Sequence, residues 1–396
     1  MIPPRRAWLL CTLLFCATAL SFLDRQVLSV LAPRITEEFA MSNTVYARVV
    51  FAFVLSYTVM FSLGGRVLDA VGTRLGLALA VGLWSLASAL HALTTGPWSL
   101  GAARFFLGIG EGPCFPAATK GAIEWSEPRR RALAVGFANG GSAFGAVLAP
   151  PLTVWCTAAF GWRGAFLFVG ILGFGWLAAW LSAFRGLPRP AVAEANRPRV
   201  SFHGLLRRPA VRRLLVARFC FDPVFYFYMF WIPQYLSRER GLSLAEIGSL
   251  TWVPFLALGL TNIGAGRASD MLVARGWAPR RARMTLMLVA ALITPASWLA
   301  SLAATPGLAI GLMALLMLAH GIWIANYITL IGDTVAPEEV GTAVGLTGTC
   351  GGIAGMISSL AVGAVVDRLS FGPVFLVSAL LYPLAWLILR TEKAAA

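Results

Sequence analysis

Gly65-Arg66-Val67-Leu68-Asp69-Ala70-Val71-Gly72-Thr73-Arg74 is a short polar break between two apolar runs, and its opening returns as Gly266-Arg267-Ala268-Ser269-Asp270. Both copies read glycine, three residues, aspartate, and both are followed by a turn and an arginine. A second echo pairs Trp125-Ser126-Glu127-Pro128, leading to Ala134-Val135-Gly136, with Val335-Ala336-Pro337-Glu338, leading to Ala343-Val344-Gly345. One such match could arise by chance. Two at corresponding places describe a chain of two related halves in tandem.

The runs around these breaks set the fold class. A helix crossing the hydrocarbon core needs roughly 20 apolar residues. Runs of about that length are expected at 8–31, 45–65, 75–95, 98–119, 131–155, 162–184, 213–236, 246–266, 284–303, 307–330, 340–365 and 371–390. They predict an all-α membrane protein with twelve transmembrane helices in two six-helix bundles. Of the 396 residues 58% are hydrophobic and 12% charged, against about 25% charged in a soluble domain. So little charge cannot cover a water-facing surface. The stretch 185–212 breaks the pattern, with Pro188, Pro190, Pro198 and Pro209 among many arginines. It is read as a cytoplasmic linker between residues 1–184 and 213–396.

The net charge of +15 could suggest a nucleic-acid partner, but its distribution points to a lipid bilayer instead. Lys and Arg collect in cytoplasmic loops of membrane proteins. Here they gather at Arg5-Arg6, at Arg129-Arg130-Arg131, in the linker (Arg189, Arg197 and Arg199 among them) and at Arg275, Arg280, Arg281 and Arg283. Between these lie basic-poor loops such as Thr94-Thr95-Gly96-Pro97 and Ala304-Thr305-Pro306-Gly307. The alternation places both termini in the cytoplasm, as expected for a multi-pass protein of a bacterial inner membrane. The six cysteines show no metal-ligand spacing, so no metal is expected. The first apolar run lacks a cleavage site and contains Asp24-Arg25, so it is read as a retained helix. No glycine-rich nucleotide cradle is present, so no cofactor is expected and coupling must come from an ion gradient.

The stretch Gly65-x-x-x-Asp69-x-x-Gly72-x-Arg74 resembles the signature loop of the major facilitator superfamily, with Ala70 where the family usually has a basic residue. In that family the two halves are parallel repeats, and the substrate site lies near the bilayer midplane between them. The resemblance implies that Gly65, Asp69 and Arg74, with Asp270 in the second half, form a conformational latch. A narrower resemblance is to the anion:cation symporter family. It rests on Phe22-Leu23-Asp24-Arg25-Gln26-Val27-Leu28-Ser29, Arg104-Phe105-Phe106-Leu107-Gly108-Ile109-Gly110-Glu111-Gly112-Pro113, Gly161-Trp162-Arg163-Gly164 and Phe221-Asp222-Pro223 continuing to Pro233-Gln234-Tyr235-Leu236. Within that family the last block is similar to the hexuronate transporters. The resemblance implies that the first-helix arginine, Arg25, contacts substrate, and that the fourth-helix arginine, Arg104, pairs with carboxylates and relays their proton state.

The residues themselves point the same way. An ionisable group inside a membrane helix costs roughly 2.5–3.5 kcal/mol on insertion scales, so it needs a partner or a polar cavity. Adjacent Asp24 and Arg25 point about 100° apart on a helix, so each needs a partner elsewhere. Arg104 and Glu111 lie two turns apart on one face. Asp24 and Glu111 are proton-carrier candidates; the alternative is structural pairing, Glu111 with Arg104 or Arg25 and Asp24 with Arg25. A guanidinium matches a carboxylate with two parallel hydrogen bonds, which suits Arg25 to an anionic guest. Tyr57, Asn139, Ser142, Tyr226, Gln234, Trp323 and Asn326 are further substrate-contact candidates, with plain packing as the alternative for each. Asp222 fits coupling and capping equally, and His320 reads as packing.

The expected function is proton-coupled symport of an organic anion, a sugar acid such as a hexuronate, by alternating access in a monomer. A drug or metabolite exporter and a non-transporting sugar-acid sensor are the alternatives. An enzyme is not expected, since no catalytic cluster is apparent.

Overall fold

The structure, a computed structural model, describes residues 4–185 and 202–391. The linker residues Pro188, Arg189, Pro190, Arg197, Pro198 and Arg199 lie outside the described residues. Among the described residues every regular element is a helix.

The first half runs α1 (Pro4–Glu38), α2 (Asn43–Val71), α3 (Thr73–Leu90), α4 (Pro97–Glu111), α5 (Cys114–Trp125) and α6 (Arg131–Ala183). A short α7 (Phe202–Arg207) precedes the second half: α8 (Pro209–Arg240), α9 (Leu244–Leu250), α10 (Trp252–Ala274), α11 (Pro279–Ile293), α12 (Ala296–Leu302), α13 (Pro306–Thr334), α14 (Val340–Arg368) and α15 (Gly372–Arg390). Ten runs of the described residues are long and apolar enough to cross a membrane. One of them, Leu133–Ala183, is two spans: Gly161 breaks it at φ 72°, a left-handed conformation that glycine adopts without steric cost. The fourth span escapes that count because Gly112 and Pro113 divide it into pieces of 15 and 12 residues, α4 and α5. Proline has no N–H to continue the ladder. With these two features included, the chain has the twelve spans of an all-α membrane protein.

Several helices run past their apolar limits, α1 to Glu38 and α2 to Val71, because a helix continues into water on polar side chains that hydropathy does not register. The span expected at 284–303 is broken as well, α11 ending near Thr294-Pro295 before α12 begins. Caps fix other starts. The Ser42 hydroxyl accepts from the Val45 N–H at 3.2 Å, and Ser243 and Glu246 form a reciprocal capping box.

The chain divides into two compact units, one within Met1–Arg197 together with Leu242–Trp252, the other within Pro198–Gly241 together with Val253–Ala396. In the first, α1 packs along α6 and α2 along α4; in the second, α8 packs against α14 and α15, and α11 against α13. Large apolar side chains such as Phe144, Trp155, Ile171, Leu292 and Leu380 are exposed, while Asp24, Arg25, Arg104 and Glu111 are buried. That inversion of the soluble pattern suits lipid contact.

The units share a staple. Glu38, closing α1, accepts from Trp162 Nε1 at 2.6 Å and Arg163 Nη1 at 2.7 Å, at the start of the sixth span. Glu239, near the end of α8, accepts from the Phe371 N–H at 2.9 Å, at the start of α15. Glu239 follows Glu38 at the same spacing as Asp270 follows Asp69. Both carboxylates fix the end of a half's first span to the start of its last.

Candidate functional site

In the first unit α1 separates the charges of its adjacent Asp24 and Arg25. Arg25 Nε donates to Glu111 Oε2 at 2.6 Å, at the end of α4. Ser21, one turn before Arg25, donates to the same oxygen at 3.0 Å and accepts from Arg25 Nη2 at 3.2 Å. Asp24 turns to α3, where the Ser88 hydroxyl meets Oδ1 at 2.5 Å. The guanidinium of Arg25 lies over aromatic rings, 4.2 Å from the centre of Tyr57, 4.8 Å from Phe22 and 5.6 Å from Phe53. Cation–π contact stabilises a desolvated arginine by about 2 kcal/mol.

Arg104 sits differently. It is 1% exposed and makes one long bond, Nη1 to the Asp24 carbonyl at 3.5 Å. Among the described residues its Nε and Nη2 have no hydrogen-bond partner, nor do Asp24 Oδ2 and Glu111 Oε1. Arg104 and Glu111 share a face of α4, yet the partner of Glu111 is Arg25. Removing one partner from a buried ion pair costs about 3–5 kcal/mol. A cluster with two arginine nitrogens and two carboxyl oxygens left open has capacity for a proton, a water or an anionic guest.

Tyr57 belongs to this cluster through Arg25. Asn139 and Ser142 stand apart from it on α6: Asn139 Nδ2 donates to Thr119 Oγ1 at 3.2 Å, and the Ser142 hydroxyl turns back to the Asn139 carbonyl at 2.8 Å. The remaining candidates are in the second unit. Tyr226 is half-buried, whereas Gln234, Trp323 and Asn326 are fully buried. Trp323 packs edge-on against Phe221 and Tyr382, and Asn326 Nδ2 donates to the Ile322 carbonyl at 2.8 Å. Asp222 pairs with Arg218 one turn earlier on α8, at 2.8 Å. Among the described residues no group of three His, Cys, Asp or Glu could hold a metal.

At the polar breaks, Asp69 is met by Lys120 of α5 at 2.5 Å. Arg74 lies beyond the Gly72 turn, its guanidinium 5.0 Å from the Phe184 ring centre and its carbonyl accepting from Trp180 Nε1 at 3.0 Å. In the second unit Arg283 pairs with Asp270 at 2.9 Å and reaches Asp333 at 3.6 Å.

Sequence reasoning missed Ser21, Ser88, Phe53, Phe166 and His91 around the charges. Ser21 was findable, since it lies one turn from Arg25 on the same helix face. Ser88, Phe166 and His91 carry no local signal; only helix packing brings them to Asp24 and Arg104.

Residues 14–359 match the Major Facilitator Superfamily. A hexuronate transporter of Escherichia coli (strain K12) is 30% identical, aligned over 98% of this chain and 95% of its own length. A D-galactonate transporter of Escherichia coli O6:H1 is 27% identical, over 94% of this chain and 92% of its own. Among solved structures, a D-xylose-proton symporter superposes with a TM-score of 0.77 at 15% identity, each chain covered to 96%. That last likeness concerns the fold alone.

Proposed function

The chain belongs to the Major Facilitator Superfamily, and from that membership we propose that it imports an organic anion, a sugar acid such as a hexuronate, together with protons. It is a multi-pass membrane transporter and not an enzyme. We read it as a monomer of a bacterial inner membrane, working by alternating access with both termini in the cytoplasm; the gathering of arginines in alternate loops supports that orientation.

The observation that carries the reading is the pair formed by Arg25 and Glu111, buried yet incompletely bonded. Arg25 is the only cation within ion-pair distance of Glu111 among the described residues. A guest carboxylate that takes both arms of the guanidinium displaces Glu111. A buried carboxylate without its cation is costly, and a proton from the outer side removes that cost. Guest and proton are therefore taken up together. Among the described residues Asp24 has serine but no cation as its carboxyl's partner, and it is the second proton carrier. Arg104 stands ready to pair with whichever carboxyl is ionised. The rings of Phe22 and Tyr57 beside Arg25 offer faces for the C–H edges of a sugar acid. One proton moving inward through 100 mV releases about 2.3 kcal/mol from the potential alone. The relatives named for hexuronate and galactonate transport support the substrate class.

The test is uptake of galacturonate into energised right-side-out vesicles with wild type and Glu111→Gln. Wild type accumulates substrate against its gradient. The variant is expected to exchange substrate without accumulating it. Full accumulation by the variant would remove Glu111 from the coupling.

A further inference from the structure

Gly112 and Gly321 occupy matching places in the two units. A side chain on Gly112 would run into Met60 and Phe61 of α2; one on Gly321 would run into Thr261 and Asn262 of α10. Thr261 follows Met60 at the spacing of Asp270 from Asp69, and Gly321 follows Gly112 at the spacing of Gly345 from Gly136. The same helix approach is thus built twice. The residue before each glycine then corresponds as well: Glu111 in the first unit and His320 in the second. A titratable side chain occupies the same buried position in both.

The hydrogen-bond partner of His320 can serve both protonation states of the ring. The imidazole is 4% exposed, its Nδ1 meets the Tyr382 hydroxyl at 2.5 Å, and its ring stacks on Phe225 at 4.8 Å. A phenol both donates and accepts. It donates to Nδ1 of one neutral imidazole tautomer and, by rotating its hydrogen, accepts from Nδ1–H of the imidazolium. One partner therefore serves both protonation states without movement of heavy atoms. Phe221 separates the imidazole, 6.5 Å between ring centres, from the Arg218 guanidinium, 5.8 Å from the same ring. Arg218 is bonded to Asp222. The charged and titratable groups around His320 are accordingly Tyr382 from α15 and Arg218 with Asp222 from α8, while α10 presents Thr261 and Asn262, which do not titrate. From α11, Arg283 reaches α13 only at Asp333, about 20 Å along the helix axis from His320.

We propose that His320 is a second proton-binding station of the transport cycle, the counterpart in the second unit of Glu111 in the first. The inference rests on the proton-coupled reading above and extends it. The proton enters from the outer solution onto the imidazole and leaves to the cytoplasm with each turnover.

The test reconstitutes the full chain into liposomes and measures protons moved per galacturonate, and uptake against pH, for wild type, H320Q, Y382F and E111Q. Wild type is expected to show a pH-dependent limb in its uptake profile. H320Q still exchanges substrate but loses the limb and moves fewer protons per substrate. Y382F keeps the limb with a shifted midpoint. H320Q with the proton ratio and pH profile of wild type overturns the inference, as does an unshifted limb in Y382F should H320Q fail to fold. A wild-type protein that moves substrate with no protons contradicts the proton-coupled reading itself, a result distinguishable from the failure of His320 alone.

Discussion

In the proposed mechanism Arg25 carries more than any other single residue. Its fork bonds Glu111 and Ser21 while its flat face rests on Tyr57 and Phe22, contacts that an ammonium cannot reproduce together. Arg25→Lys keeps the charge and loses the fork. Hydrogen bonds to charged groups contribute about 1.5–3 kcal/mol, so apparent affinity for the sugar acid is expected to fall by about tenfold to a hundredfold. Concentration dependence of uptake measures this, and an unchanged half-saturation would place the guest elsewhere. Part of this chemistry was legible in the sequence. Neighbours on a helix cannot pair face to face, so Asp24 and Arg25 had to look for partners on other helices, and they find them in Ser88 and Glu111. That Arg104 is left with open N–H groups was not legible, because helical spacing gives the face of α4 and says nothing of which cation on another helix is nearer.

Between helices, the ends carry the specific bonds. Arg240 closes α8 by donating to the carbonyls of Ala300, Ser301 and Ala303 and to the Tyr235 hydroxyl, at 2.6–3.0 Å. Cationic groups favour helix C-termini, and this one supplies donors for orphan carbonyls around the end of α12. Arg240→Ala is expected to lower stability by about 1–3 kcal/mol, read as an earlier thermal unfolding midpoint in detergent. Gly161 makes the turn between the fifth and sixth spans at φ 72°. Gly161→Ala should cost about 1–2 kcal/mol, by the same measurement, with no change in substrate preference. Outside the membrane, Arg208 grips Glu339 with two bonds, 2.6 and 2.8 Å, and those bonds hold the carboxyl below its ordinary value of 4.5. A depressed carboxyl stabilises the folded state at and above its unfolded value and loses that contribution as pH falls through the lower folded one. Glu339→Gln should thus lower the unfolding midpoint slightly at pH 7 and not in strong acid, the difference shrinking with salt. Equal midpoints in wild type and variant at neutral pH would show that the pair does not contribute. None of these end contacts is visible to hydropathy, which locates apolar runs and is blind to the polar turns joining them. For the same reason hydropathy reads the fourth span as one run at 98–119, whereas Gly112 and Pro113 divide it.

At the scale of the whole chain, tandem duplication is the feature most plainly written in the sequence. The Gly65 and Gly266 motifs announced it, and the repeated staples at Glu38 and Glu239 and the repeated helix approach at Gly112 and Gly321 carry it into three dimensions. Divergence within the repeat is where function separates from fold. The first unit has a carboxyl at position 111 bonded to an arginine, and the second has an imidazole at position 320 bonded to a phenol. The shared backbone follows from helix packing and survives sequence change, whereas the choice of titratable group does not follow from packing at all. The central claim is that an anionic guest takes the arginine, and a proton the carboxylate, of one buried pair, so that the two travel together. The most direct measurement is the external pH of a lightly buffered suspension of wild-type right-side-out vesicles when galacturonate is added. Proton symport predicts alkalinisation of the medium that follows substrate entry and is absent with Glu111→Gln. Substrate entry with no change of external pH, or with acidification, would contradict the account.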